Sequence, residues 1–423
     1  MTSLNLYTPG RGLFSTHVTW EDLEHDLQRG LNTTSCFGTE KSVKDIGDGN
    51  GFMSKILLIE PDWQPKDDKL PAKFLVKIAT QLVMQKVTNE LFERKNLNNN
   101  FISPTFMADF ETLQKREHNT EVAVYKFLHR IPEGKIHVPK IFFSRNFTEN
   151  NPVKGYIVME YMENIKQIHV YESVTAKQLK QILRYKAVIE AYSLSVPMEE
   201  REEFSKKPFD NVYYKMFKQE VQEHIVQLFA SVEDGKLVES VKRLKELIPD
   251  IVDLERAENL ADELEMDRVV CHGDLWSMNM LWKPDGDDFK LAAVVDYQAA
   301  HFGCSATDLV RLFSSCLSGK ERRAHWEELL EEFYGYLKEE VGERKMPYTL
   351  EQLKEAYRRY FPTGAFMVVT VIAPLFEVIF KNPDENQRMK CLETVMEKTV
   401  CLLEDVFYYH DRNVNIRNDQ HVE

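Results

Sequence analysis

Apolar and polar positions change rhythm along the chain. From Gly38 to Val43 and from Phe52 to Glu60 the side chains alternate or run apolar, with glycines between the two runs. That is the pattern of strands joined by a turn. Residues 61–70 mix prolines with charges and predict a turn. Phe74-Leu-Val-Lys-Ile-Ala reads as a short apolar strand interrupted by one lysine, and the Asn-rich residues 94–105 as a loop. From Thr112 to His129 the apolar positions Val122, Tyr125, Phe127 and Leu128 predict a helix. Two further strands are expected at Val138–Phe143 and Gly155–Glu160.

Past about residue 165 the helical period dominates. Helices are expected at Ala176–Ser195, Val212–Ala230, Val238–Leu247 and Asp253–Glu265, and later at 306–317, 320–341, 350–361 and 385–407. A strand-rich island at 268–296 interrupts them. A chain of 423 residues exceeds what one hydrophobic core usually serves. The expected organisation is an N-terminal extension over 1–34, an α+β N-lobe over 35–163, a larger mostly helical C-lobe over 164–410 and a polar tail over 411–423.

Composition narrows the function classes. Hydrophobic content of 43% and charged content of 29% are ordinary for a globular enzyme. The net charge of −14, without a basic tail or stripe, argues against a nucleic-acid partner. The six cysteines, Cys36, Cys271, Cys304, Cys316, Cys391 and Cys401, form neither a Cys-x-x-Cys pair nor a zinc-spaced cluster. They read as reduced, mostly buried thiols of a cytoplasmic protein. The N-terminus has neither a basic start nor an apolar run, so no signal peptide is expected. The most apolar stretch, Gly364 to Phe380, is short for a membrane span and contains Pro374 and Glu377. It predicts a buried helix or helix pair and no membrane partner.

The island carries the candidate chemistry. Asp274 and Asn279 stand in the spacing Asp-x-x-x-x-Asn, with His272 two residues before the aspartate. Kinase catalytic loops use this spacing, although a glycine, Gly273, stands where protein kinases have arginine. A carboxylate there orients a hydroxyl toward a phosphate and receives its proton. An Asn carbonyl and an Asp carboxylate suit magnesium, which takes hard oxygen ligands. Met280-Leu-Trp-Lys, the turn Pro284-Asp-Gly-Asp-Asp and Phe289-Lys-Leu-Ala-Ala-Val-Val predict a hairpin. Its pairing would set Asn279 beside Asp296, making both candidate metal ligands and Asp274 the candidate catalytic residue. A polar loop with an Asn cap is the plainer reading.

Candidate nucleotide contacts lie upstream. Gly47, Gly49 and Gly51, in Ile46-Gly-Asp-Gly-Asn-Gly-Phe, would let backbone N–H groups approach phosphate oxygens. The run is not a full Gly-x-Gly-x-x-Gly, and a plain turn competes with it. Lys77, inside an apolar strand, must face solvent or an anion. Its expected partner is Glu121 on the following helix, with Glu117 one turn earlier as the rival. Val158-Met-Glu-Tyr-Met ends the last N-lobe strand, and the backbone of Glu160 to Met162 could receive an adenine edge.

His272-Gly-Asp-Leu-Trp-x-x-Asn279 with Val295-Asp-Tyr-Gln298 resembles the choline-kinase-like branch of the protein-kinase-like fold. It is most similar to the ecdysteroid-kinase-like (CHK) family and its nematode group, over about residues 35–405. The resemblance implies a two-lobed protein-kinase-like fold with a small N-terminal β-sheet lobe. It implies ATP and Mg2+ as cofactors and a small hydroxylated molecule as acceptor. Carried over, Asp274 would be the base, Asn279 and Asp296 the magnesium ligands, Lys77 the phosphate-binding lysine and Glu121 its partner. Asp308 would be the aspartate that supports the catalytic loop. Tyr297-Gln298 departs from the Phe-Gly of protein kinases.

Two other readings compete. A protein kinase needs room for an activation loop, yet Asp308 follows Asp296 by only twelve positions and no Ala-Pro-Glu occurs. A kinase-like binding protein would lack a catalytic residue, and none is missing. Trp276, Tyr213, Tyr214, Phe361 and Phe366 are aromatics that could face an acceptor, with core packing as the plainer role.

Overall fold

The computed structural model describes residues 4–47, 53–86, 104–206, 223, 227, 229 and 237–420. The chain divides into two compact units, one of Met1–Arg130 with Val138–Glu163 and one of Ile131–His137 with Asn164–Glu423. The first unit holds a five-stranded sheet and the second is mostly helical, the α+β outline expected from the sequence.

In the first unit, α1 (Trp20–Leu31) begins with a capping box in which Thr19 and Asp22 satisfy each other's backbone N–H. Two short strands, β1 (Cys36–Phe37) and β4 (Trp63–Gln64), pair with each other. The main sheet has the order β2 (Ser42–Asp45), β3 (Ser54–Glu60), β5 (Phe74–Ala79), β7 (Tyr156–Glu160) and β6 (Ile141–Arg145). All its pairings are antiparallel. Leu57, Ile59, Phe74, Val76, Ile78 and Val158 fill one core. Leu13, Val18, Leu23 and Leu27 join the same core, so residues expected as an N-terminal extension belong to the sheet unit. The helix α2 runs over Pro104–Leu128, starting two turns before the expected Thr112.

In the second unit, α3 (Ala176–Ser193) opens with a Thr175–Gln178 capping box. It is followed by α4 (Met198–Arg201), α5 (Val238–Ile251) and α6 (Leu254–Glu263). The island forms a pair, β9 (Val269–Cys271) with β12 (His301–Gly303), and a hairpin, β10 (Met280–Asp285) with β11 (Asp288–Val294). The two-residue β8 (Lys166–Gln167) borders the hairpin. Next come α7 (Ala306–Cys316), α8 (Gly319–Val341), α9 (Leu350–Phe380) and α10 (Glu385–Gln420).

Helix α9 is one continuous run of 31 residues through Pro362 and Pro374. An interior proline costs roughly 3 kcal/mol. Burial of Ala365, Phe366, Met367, Val368, Val369, Ile372 and Ala373 offsets that cost. Residues 411–420, expected as a polar tail, continue α10. Arg412 reaches Glu355 at 2.6 Å and Arg417 reaches Asp250 at 2.8 Å, which ties this end down. Among the described residues no helix is long and apolar enough to cross a membrane. The helix expected at 212–230 lies almost wholly outside the described residues.

Candidate active site

The loop between β9 and β10 is planted by one carboxylate. Asp308 sits in the first turn of α7 and is buried. Its Oδ2 accepts the N–H of His272 at 2.8 Å and its Oδ1 the N–H of Gly273 at 3.0 Å. Lys186 on α3 donates to Asp308 Oδ2 at 2.9 Å and to Glu190 Oε1 at 2.7 Å. Glu190 in turn accepts from Ser305 Oγ at 2.6 Å and from the Tyr348 hydroxyl at 2.5 Å. Burial, the largest single influence, would raise the Asp308 carboxyl, but the Lys186 charge, His272 and the hydrogen bonds from both together hold the group below the usual carboxylate range.

The loop's own side chains lock it further. His272 Nε2 meets the Val295 carbonyl at 3.0 Å, while Nδ1 accepts the Asp274 N–H at 3.2 Å. The network assigns the proton to Nε2. Burial pushes His272 down from its ordinary value, which favours that neutral form. Tyr297 packs on the ring at 4.5 Å, and its hydroxyl meets that of Tyr185 at 2.7 Å. Gly273 has φ +79°, and a Cβ there would run into the Ala299 carbonyl. No side chain fits where protein kinases carry arginine.

Asp274 follows, partly exposed. Its carbonyl accepts Asn279 Nδ2 at 2.9 Å, and its Oδ2 accepts the same group at 3.1 Å. Arg311, one turn along α7 from Asp308, forms an ion pair with Asp274 Oδ1. Asn279 ends a short 3-10 turn, Ser277–Asn279, at the mouth of the hairpin. Met280 pairs with Val294, and Val295 N–H donates to the Asn279 carbonyl at 3.0 Å. The hairpin therefore brings Asn279 to the segment that carries Asp296. Asp296 has φ 70°, a left-handed conformation that Asp tolerates better than most residues. Strained backbone of this kind is worth about 1–3 kcal/mol and persists where the surroundings enforce it.

These donors suit a hard divalent cation. Asn279 spends its amide nitrogen on Asp274, which turns its amide oxygen the other way. Among the described residues no group of three or more His, Cys, Asp or Glu side chains gathers into a metal cage. An ion held by Asn279 and Asp296 would complete its shell with water and phosphate oxygens, as magnesium usually does.

In the first unit, Lys77 Nζ on β5 lies 2.7 Å from Glu121 Oε2 on α2. The side chains are 12% and 2% exposed. Glu117 is buried one turn earlier. The Gly47 N–H points at Asp45 Oδ1, 3.1 Å away, and Asp45 also pairs with Lys55 at 2.6 Å. Gly49 and Gly51 lie outside the described residues. The Glu160 N–H donates to the Lys140 carbonyl at 2.9 Å, and half-buried Met162 follows two residues later. Phe361 and Phe366 are fully buried core residues of α9, and Tyr213 and Tyr214 lie outside the described residues.

Sequence reading missed Lys186, Glu190, Tyr348 and Arg311. Lys186 and Glu190 stand at i and i+4 on a helix, the spacing of an ordinary surface pair. The one signal was their company: Ile182, Leu183, Val188 and Ile189 leave that helix little polar face.

Comparison with known proteins gives three kinds of match. A family model described as DUF1679, Uncharacterized oxidoreductase dhs-27, matches residues 6–414. The uncharacterized oxidoreductase dhs-27 of Caenorhabditis elegans is 24% identical over 339 residues, covering 77% of this chain. The match spans only 38% of that relative's length. The uncharacterized kinase-like protein D1044.1 of the same organism is 22% identical over 375 residues, covering 86% of this chain and 93% of its own. Among solved structures, an ethanolamine kinase of Plasmodium vivax is similar at 12% identity with a TM-score of 0.39, over 84% of this chain and 81% of that one.

Proposed function

We propose that this chain, which belongs to the family described as DUF1679, Uncharacterized oxidoreductase dhs-27, is a small-molecule kinase that moves the γ-phosphoryl group of ATP to a hydroxyl. One observation carries the reading. Asp308 and the hairpin hold Asp274 and Asn279 in a fixed relation beside the segment bearing Asp296. The similarity to D1044.1, named a kinase-like protein, agrees with it. The word oxidoreductase in the family's description is the name of a relative of which the match spans 38%.

In this reading Asp274 is the base and orienter. The acceptor hydroxyl hydrogen-bonds to Asp274 Oδ2, and its oxygen attacks the γ-phosphorus in line. As the new O–P bond forms, the bond from phosphorus to the bridging oxygen breaks and ADP keeps the electron pair. The hydroxyl proton passes to Asp274. Magnesium held by Asn279 and Asp296 would neutralise charge on the phosphate oxygens. Lys77, oriented by Glu121, binds the α- and β-phosphates. The glycines at 47, 49 and 51 would serve the phosphates through backbone N–H groups, and the backbone of Glu160 to Met162 would take the adenine edge. Most of the rate comes from positioning and charge compensation. The acceptor is a hydroxylated metabolite or xenobiotic, of steroid-like or choline-like kind, in the manner of ecdysteroid-kinase-like enzymes, and the setting is cytoplasmic.

Nucleotide titration of Asp296→Ala tests the metal assignment. The variant should bind ATP in magnesium at least about tenfold more weakly than the wild type. A wild-type titration curve would remove Asp296 from the site. A kinase-like binding protein is the second reading; it predicts nucleotide binding with no transfer to any alcohol.

A further inference from the structure

Gly273 leaves the catalytic loop without the arginine that kinase loops commonly carry, and the fold supplies a guanidinium from elsewhere. Arg311 stands three residues after Asp308 on α7, so both project from one helix face toward the same loop. Asp308 grips the loop's backbone, and Arg311 grips the Asp274 carboxylate itself. The Arg311 side chain is 9% exposed and that of Asp274 is 22% exposed, so the pair is poorly screened by solvent. With Oδ1 against Arg311 and Oδ2 within reach of Asn279 Nδ2, rotation of the carboxylate is blocked at both oxygens. Oδ2 keeps a second lone pair for an acceptor hydroxyl.

We propose that Arg311 is a positioning residue for the transfer step, and that its charge selects acceptor alcohols with no ammonium group next to the reacting hydroxyl. The inference rests on the kinase reading and narrows its acceptor, steroid-like or choline-like there, to alcohols without that ammonium. An unpaired aspartate attracts a cationic acceptor. An aspartate already neutralised by a buried guanidinium does not, because the attraction and the repulsion nearly cancel at a group close to both. Uncharged alcohols lose nothing by this arrangement. They gain a carboxylate fixed in the orientation that in-line attack needs.

The test uses the full chain as wild type, Arg311→Lys and Arg311→Met. Each is assayed with Mg·ATP on choline and on dimethylbutanol, the carbon analogue of choline without its charge. The wild type should favour dimethylbutanol by about tenfold or more in kcat/KM. Arg311→Met should lower kcat on dimethylbutanol about tenfold at unchanged KM for ATP, and shift the preference toward choline. Arg311→Lys keeps the charge but loses the rigid fork, so it should retain the preference while kcat falls. It also keeps the question answerable if Arg311→Met fails to fold. A wild-type preference for choline, or wild-type kcat in Arg311→Lys, overturns the proposal. If neither alcohol is phosphorylated, phosphoryl transfer to water is the readout. An unchanged hydrolysis rate in Arg311→Lys overturns the role of Arg311 alone, whereas no ATP turnover by the wild type overturns the kinase reading and this inference with it.

Discussion

Lys186 Nζ lies 2.9 Å from Asp308 Oδ2, and both side chains are all but sealed from solvent. Removing one partner of such a pair strands the other charge in a low dielectric. Lys186→Met should therefore lose about 3–5 kcal/mol of stability at neutral pH. The pH dependence has a definite sign. The Asp308 carboxyl is depressed in the fold, so its contribution is present above the ordinary carboxylate value near pH ~4 and is lost as pH falls through the lower folded value. In the variant the same carboxylate has lost its principal compensating charge, and protonation relieves it. The stability gap between wild type and variant should narrow as pH falls below ~4. Urea unfolding at neutral and acid pH measures this. A gap that stays constant contradicts the pairing.

The Lys77–Glu121 pair gives a prediction for the first unit. Glu121→Gln keeps the volume but removes the charge that orients Lys77 at 2.7 Å. The dissociation constant for ATP in magnesium should rise about tenfold. Isothermal titration reads it, and an unchanged constant would make Lys77–Glu121 a purely structural bridge.

Lys398 on α10 is fully buried and donates to the carbonyls of Val170, Glu172 and Ser315 at 2.9, 2.6 and 2.9 Å. Ser315 lies in the last turn of α7, so the ammonium caps the helix whose first turn carries Asp308. Lys398→Met should cost about 3–5 kcal/mol, because several buried carbonyls lose their donor together. Thermal melting checks this; a loss within about 1 kcal/mol would mean that water replaces the ammonium.

Much of this arrangement was legible in the residues. The strand Phe74–Ala79 and the island hairpin follow from short-range pattern, as does the adjacency of Asn279 to the Asp296 segment. Such contacts are local, or set by a turn whose residues announce it. What pattern could not show is which charges are buried. Lys186, Arg311 and Lys398 sit on helices at spacings that serve equally for a solvated face. Only the packing of distant segments turns them inward. Helix α9 was divided for a related reason: proline is a strong local breaker, yet burial of the surrounding side chains outweighs it. Residues 4–34 looked detached because Leu13, Val18, Leu23 and Leu27 are widely spaced, while the core they enter is built by the following strands.

The central claim is phosphoryl transfer from ATP to an alcohol with Asp274 as base. Wild type and Asp274→Asn are incubated with Mg·ATP and a panel of hydroxylated metabolites, and products are read by mass. The wild type should yield at least one alcohol gained by a phosphoryl group. Asp274→Asn should bind ATP within about twofold of wild type and lose transfer by a factor of roughly a thousand or more. Equal product from both proteins, with ATP bound equally by both, would contradict the account.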